Sequence, residues 1–190
     1  MLALVLTSVT KCLSWCSELN MKTQQYLSII LITIALSGLC KISQAQEATV
    51  RVGGEVVKPY VVDQQMFSAM KQLHVKVTGR DSVQHDYSGV SLYELIMKAG
   101  AVARNKLSGK ELTKYVLITA ADGYKVVIAM AEIDPGFTDQ HILLVNQDNG
   151  ENLAANYGPY RLIVPGDKRP ARSVMRVIAI EVFAADKKWP

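Results

Sequence analysis

Cysteine is confined to the first part of this chain. Of its 190 residues only Cys12, Cys16 and Cys40 carry a thiol, and none follows residue 40. The remaining stretch therefore has no disulfide and no paired-cysteine metal site. Histidine is as scarce. His74, His85 and His141 show no ligand spacing, and no H-E-x-x-H, Walker or G-x-S-x-G pattern occurs. The apolar run Leu27 to Leu39 is shorter than the ~20 residues that span a bilayer.

Residues 21–45 read as an export signal. Lys22 supplies a short positive region, LSIILITIALSGL follows, and Ser43-Gln44-Ala45 has the small-x-small pattern of a cleavage site. An uncleaved N-terminal anchor is the competing reading. Leu39 directly before Cys40 makes a poor lipoprotein box, where a small residue is wanted. Residues 1–20 sit oddly in front of residues 21–45: either translation begins at Met21, or the positive region is extended, which Glu18 and the single Lys11 suit poorly.

Cleavage after Ala45 leaves Gln46 to Pro190, enough for one domain with its own core. Cleavage removes Lys11, Lys22 and Lys41, which takes the basic residues from 21 to 18; losing Glu18 takes the acidic ones from 17 to 16. The difference, +2, is too small for a nucleic-acid partner or a polybasic membrane surface.

What remains reads as short strands, turns and two or more short helices, an α+β domain over 46–183 with a loose tail at 184–190. Ala48 to Val57 is a first strand with a turn or bulge at Gly53-Gly54. Asp63 caps a helix through Leu73 that presents Met66, Met70 and Leu73. His74 to Thr78 and His85 to Tyr87 form a hairpin across Gly79-Arg80-Asp81. Ser91 and Glu94 form a capping box for a helix ending at Ala99, with Gly100 just past its end. Ala101 to Thr113 reads as a loop. Tyr115 to Met130 is a hairpin about Asp122-Gly123. His141 to Val145, Glu151 to Ala154, Tyr160 to Val164 and Val174 to Phe183 supply further strands, the first two joined by a turn at Asp148-Asn149-Gly150.

Several segments resemble one family in order and spacing: Tyr87-Ser88-Gly89-Val90-Ser91-Leu92, Ala121-Asp122-Gly123-Tyr124, Leu143-Leu144 followed by Asn149-Gly150-Glu151-Asn152-Leu153, Gly158-Pro159-Tyr160-Arg161-Leu162-Ile163-Val164-Pro165-Gly166, and Ala171-Arg172-Ser173-Val174. They are similar to the molybdopterin-binding domain of the sulfite oxidase superfamily, in a short single-domain bacterial form. Gly54-Glu55-Val56 with Pro59 fits that domain's opening. The resemblance implies strand-rich mixed sheets and a molybdopterin cofactor held late in the domain, by Gly166, Lys168, Arg169, Arg172 and Ser173. Glycine lets backbone approach an anion, and the cations offer charge-assisted donors to a phosphate. The bland alternative is a set of surface charges balanced by Asp167 and Glu181. Tyr124 and Arg161 are the substrate-pocket candidates, although Asp122-Gly123-Tyr124 also simply makes a turn. Tyr157 and Tyr160 read equally well as packing residues with a wet hydroxyl.

The same resemblance exposes a departure. Metal-loaded relatives complete molybdenum coordination with a cysteine thiolate from the middle of the domain, and HVKVTGRDSVQHDYSG, His74 to Gly89, has none. Ser82, His85 and Ser88 approach that space but do not replace a soft thiolate. The signal also lacks the twin arginines used to export folded, cofactor-loaded enzymes. The expectations are a periplasmic or secreted protein on the Sec route, with redox turnover left open. Its ligand is a small anion or pterin-like molecule, and its partner, if any, a periplasmic or membrane redox protein. Under the alternative, the same scaffold is a non-catalytic ligand-binding or protein-interaction module.

Overall fold

Period-two alternation of apolar residues decides the architecture. A computed structural model describes residues 48–79, 82–102 and 107–185, all within the unit Gln46–Pro190. The segments read as signal, gene-start extension and distal tail lie outside the described residues, as does the Arg80-Asp81 turn.

The first sheet has the order β2-β1-β10-β5-β6, from β1 (Val50–Gly54), β2 (Tyr60–Val62), β5 (Lys114–Ala120), β6 (Lys125–Ala129) and β10 (Val177–Ala184). It is mixed, because β1 and β10 run parallel and the other pairs antiparallel. The second sheet is built on β3 (Leu73–Thr78), β4 (Gln84–Ser91) and β7 (Leu143–Asp148). Both β8 (Glu151–Asn152) and β9 (Arg161–Ile163) pair with β7. Two short helices, α1 (Gln64–Ala69) and α2 (Leu92–Lys98), complete the α+β fold.

The main core lies between the sheets. Val50, Val52, Val116, Ile118, Ile128, Ile180 and Val182 face it from the first sheet, and Val90, Leu144 and Leu162 from the second. Leu92, Leu95 and Ile96 of α2 pack into the same core. Alternate residues of the second sheet (Tyr87, Leu143, Val145 and Ile163) build a smaller cluster on its other face. Each large aliphatic side chain so buried contributes roughly 1.5–3 kcal/mol, which lets packing hold the domain without a disulfide.

Several local expectations hold. Asp63 Oδ1 accepts from Met66 N at 2.7 Å, capping α1. Gly123 takes a φ of +86°, and its N–H donates to the Ala120 carbonyl in the β5–β6 turn, a backbone that an L side chain resists. Gly100 follows α2 at φ +76°, its N–H donating to the Met97 carbonyl.

Other expectations are corrected. Helix α1 stops at Ala69 because Leu73 begins β3, and its buried residue is Phe67, not a Met66–Met70–Leu73 face. Ser91 makes no side-chain cap bond. It is the last residue of β4, paired with Leu143, so sheet pairing places it and the N-terminal helix amide of Leu92 donates to the Ile142 carbonyl. The first strand ends at Gly54, and Tyr60–Val62 returns beside it as β2, a strand the sequence did not announce. Within the expected loop at 101–113, Gly109–Thr113 forms a 3-10 turn. The last strand starts at Val177, three residues late, because Arg176 takes a φ of +51°.

Candidate functional site

Two groups of side chains occupy the region the sequence singled out, and they differ in kind. The late loop, Pro165 to Ser173, contains the five residues assigned to a phosphate. Arg172 donates from Nε and Nη2 to the two oxygens of Asp167, at 2.9 and 2.7 Å, and from Nη1 to Glu132 Oε2 at 2.6 Å. These bonds hold the Arg172 guanidinium well above its ordinary range and the Asp167 carboxyl below its own. The arginine's charge is thus met inside the protein, by Asp167 and Glu132 rather than Glu181. Ser173 Oγ accepts from Val164 N at 3.1 Å. A Cβ on Gly166 would meet the side-chain amide of Gln140, so the close approach this glycine permits is to its own chain. Tyr124 is half exposed and donates to the Ala171 carbonyl at 3.0 Å, tying the β5–β6 turn to the loop. Lys168 and Arg169 stand exposed, with no partner among the described residues.

The second group lies on the outer face of the second sheet. Register sets Tyr87 of β4 opposite Asp148 of β7, and Val145 of β7 opposite Arg161 of β9. Arg161 Nη1 donates to the Tyr87 hydroxyl at 3.1 Å. Its guanidinium carbon lies 5.5 Å from the Tyr87 ring centroid and 5.1 Å from that of Tyr157. His85 stacks on Tyr87 at 5.5 Å with 10° between the rings, and its Nδ1 lies 2.7 Å from Asp148 Oδ2. Burial pushes the Tyr87 hydroxyl above its ordinary range, opposed by Arg161. Within this group two buried atoms, Arg161 Nε and Asp148 Oδ1, have no hydrogen-bond partner; Gln140 Nε2, beside Gly166 of the late loop, is another. Unpaired buried polar atoms are uncommon, and clustering marks a place where a ligand or water completes the network. Tyr157, 40% exposed, forms the outer edge of this cluster.

The family profile described as oxidoreductase molybdopterin binding domain matches residues 39–189. The chain belongs to this family. Among solved structures, the sulfane dehydrogenase SoxCD from Paracoccus pantotrophus is similar, at 19% identity and a TM-score of 0.57. That likeness covers 71% of this chain and 38% of the SoxCD chain, and it supports the sulfite-oxidase-type fold. No curated protein matches.

For this family member the donor set is the decisive test of a metal centre. No thiol exists between Ala48 and Ala185. The substitutes are occupied or misplaced: His85 binds Asp148, Ser88 donates to Gln147 Oε1 at 3.0 Å, and Ser82 sits exposed at φ +63°. Among the described residues no three His, Cys, Asp or Glu side chains converge on one point. The described residues therefore supply no thiolate for molybdenum. His74 pairs with Asp86 at 3.3 Å, on the opposite face of β3 from the arginine cluster, and His141 is exposed. Tyr160 is fully buried, with its hydroxyl 3.3 Å from Gln64 Oε1, so it is a packing residue without a wet end.

The sequence thus named Arg161 but missed its setting. Tyr87 and Asp148 were read as parts of a hairpin and a turn and His85 as a poor stand-in for a thiolate, although the i, i+2 spacing of His85 and Tyr87 puts both on one face of a strand. Nothing local pairs Arg172 with Glu132, forty residues away.

Proposed function

We propose that this protein is an exported ligand-binding member of the molybdopterin-binding family, working in the periplasm or outside the cell without cysteine-ligated molybdenum. Its ligand is a small anion or a pterin-like molecule. The Arg161 cluster carries this reading, because a guanidinium edged by Tyr87 and Tyr157 keeps Nε without a partner. An anionic group suits that guanidinium, and the half-exposed Tyr157 ring suits a flat heterocycle beside it. Lys168 and Arg169 add exposed positive charge for attraction at longer range. Arg172 and Ser173 hold the loop in shape instead of contacting the ligand. The LSIILITIALSGL run and Ser43-Gln44-Ala45 support export, and Lys22 without an arginine pair supports the route for unfolded chains.

Metal analysis and intact mass spectrometry on protein isolated from its native periplasm, without refolding, test the reading. The expected species begins at Gln46 and holds molybdenum far below one atom per chain. Titration with inorganic phosphate and with a carboxylated pterin then shows binding that Arg161→Ala removes. Stoichiometric molybdenum, or binding indifferent to Arg161, overturns the proposal.

A further inference from the structure

Strand β10 delivers the chain to the rim of a cleft. Ala184 N donates to Glu55 Oε1 at 3.2 Å, and Ala185 N donates to the Thr113 carbonyl at 3.0 Å. Glu55 and Lys114, the residue after Thr113, both line this cleft, whose volume is about 650 Å³. Val56, Val57 and Val102 give it an apolar side, and Val57 at the rim is 86% exposed. Across it, Lys114 Nζ donates to the Ala101 carbonyl at 2.8 Å and lies 2.6 Å from Glu111 Oε2. That ion pair lies off the direction of a hydrogen bond, so the buried Glu111 oxygen keeps none. A buried acceptor without a donor is uncommon and marks a place that another group completes.

We propose that the distal tail of this same chain, Asp186-Lys187-Lys188-Trp189-Pro190, folds back into the cleft and seats the Trp189 ring against Val57 and Val102. These residues lie outside the described ones, and three features of the rim select them. The first is position: the backbone of Ala184 and Ala185 is already tied to Glu55 and Thr113. The steps from Ala185 to Trp189 reach about 14 Å at full extension, enough to cross a cleft of that volume, roughly 9 Å wide. The second is charge. The lining has two acids, Glu55 and Glu111, against Lys114, and the tail has two bases, Lys187 and Lys188, against Asp186. The third is chemistry. An indole brings a large apolar body with an N–H that only donates, which matches apolar valines beside an acceptor, Glu111 Oε2, that lacks a donor. The docked tail is a strap over the end of the first sheet, the opposite of the loose tail that the sequence alone suggests. No residue of the arginine cluster lines the cleft, so this inference stands apart from the ligand-binding reading.

Tryptophan fluorescence gives the test, because Trp15 is the one other tryptophan of the sequence. Trp15→Phe in the full chain leaves Trp189 as the sole indole, whether or not the first residues are removed. Its emission is expected at shorter wavelength than in denaturant, with acrylamide quenching several-fold weaker. Val57→Asn removes the apolar seat at an exposed position that the fold tolerates, and quenching then rises toward the denatured level while circular dichroism is unchanged. Lys187→Glu with Lys188→Glu reverses the charge of the tail and also raises quenching, most at low salt. A Trp189 ring quenched as freely in the folded chain as in denaturant overturns the proposal. So does protection that neither variant alters, or protection that appears only as protein concentration rises, which seats the tail in a second copy.

Discussion

Arg161 and Arg172 stand eleven positions apart, both in stretches that resemble the family's cofactor region, and they do opposite things. Arg172 makes three charge-assisted bonds to two carboxylates, and its capacity is spent within the protein. Arg161 makes one hydrogen bond, leans on two aromatic rings and keeps a buried Nε without a partner. A cation in a sequence motif is a candidate ligand group only if no neighbouring acid claims it. The fold makes that allocation, and here it reverses the order of interest that the motif gave.

The strongest way to break the comparison is at Arg172. Arg172→Ala strands Asp167 and Glu132 and frees the late loop, at a cost of about 2 kcal/mol, moderated because the guanidinium is about a third exposed. For a domain of this size that lowers Tm by roughly 4–8 °C in calorimetry. The pH dependence follows from the same pair. Arg172 holds the Asp167 carboxyl below its ordinary 3.8, so the carboxylate's stabilisation is present above that value and is lost as pH falls through the lower folded value. In Arg172→Ala the acid unfolding midpoint moves to higher pH. An unchanged acid limb and an unchanged Tm show that the clamp contributes nothing.

Arg161→Ala sharpens the contrast from the other side. Phosphate or carboxylated-pterin affinity falls about tenfold or more, equivalent to about 1.4 kcal/mol, while Tm changes less than in Arg172→Ala. Arg161→Lys keeps the charge but loses the planar fork, and recovers only part of the affinity. If Arg161→Ala destabilises like Arg172→Ala and leaves affinity intact, the two arginines are both structural.

Local signals carried most of the fold. Asp122-Gly123 marked its hairpin because a tight turn demands a residue tolerant of positive φ, and Asp63 marked its helix because a carboxylate there meets an orphan N–H. The family resemblance rested on the order and spacing of segments from Tyr87 to Val174, Gly158 to Gly166 and Ala171 to Val174 among them, and the profile match over 39–189 agrees with it. What escaped is non-local. Ser91 and Glu94 had the spacing of a capping box, but the pairing of Ser91 with Leu143 decides its conformation. Tyr60–Val62 is too short to show a period and becomes a strand only because Val50–Val52 is there to pair with it. The arginine cluster draws its parts from β4, β7, β9 and the loop at Tyr157, so no window of sequence contains it.

The tyrosines of the core give a smaller effect, of the order of a single hydrogen bond. Tyr60 donates to the Leu95 carbonyl at 2.8 Å, joining β2 to α2, and Tyr60→Phe costs about 1 kcal/mol. Burial pushes the Tyr60 hydroxyl up to about 12, and it raises Tyr87 and Tyr160 as well. The protonated forms are therefore favoured in the folded state. Their stabilisation is complete below the ordinary value of 10.0 and fades as pH rises toward about 12. Denaturant midpoints measured from pH 9 upward fall through that window, and less steeply in Tyr60→Phe.

The smallest effect belongs to the pair the motif placed most prominently. Lys168 and Arg169 are exposed and unpaired among the described residues, so Lys168→Ala with Arg169→Ala changes stability by less than about 0.5 kcal/mol. On the proposed ligand-binding reading, their contribution is to the field around Arg161, which salt screens beyond about 10 Å at 0.1 M ionic strength. The double variant consequently loses anion affinity at low salt and matches the unaltered protein at high salt. Arg161→Ala stays weak at both. Should the double variant instead stay weak at high salt as well, Lys168 and Arg169 touch the ligand directly, and the division between a contacting and an attracting cation moves into the late loop.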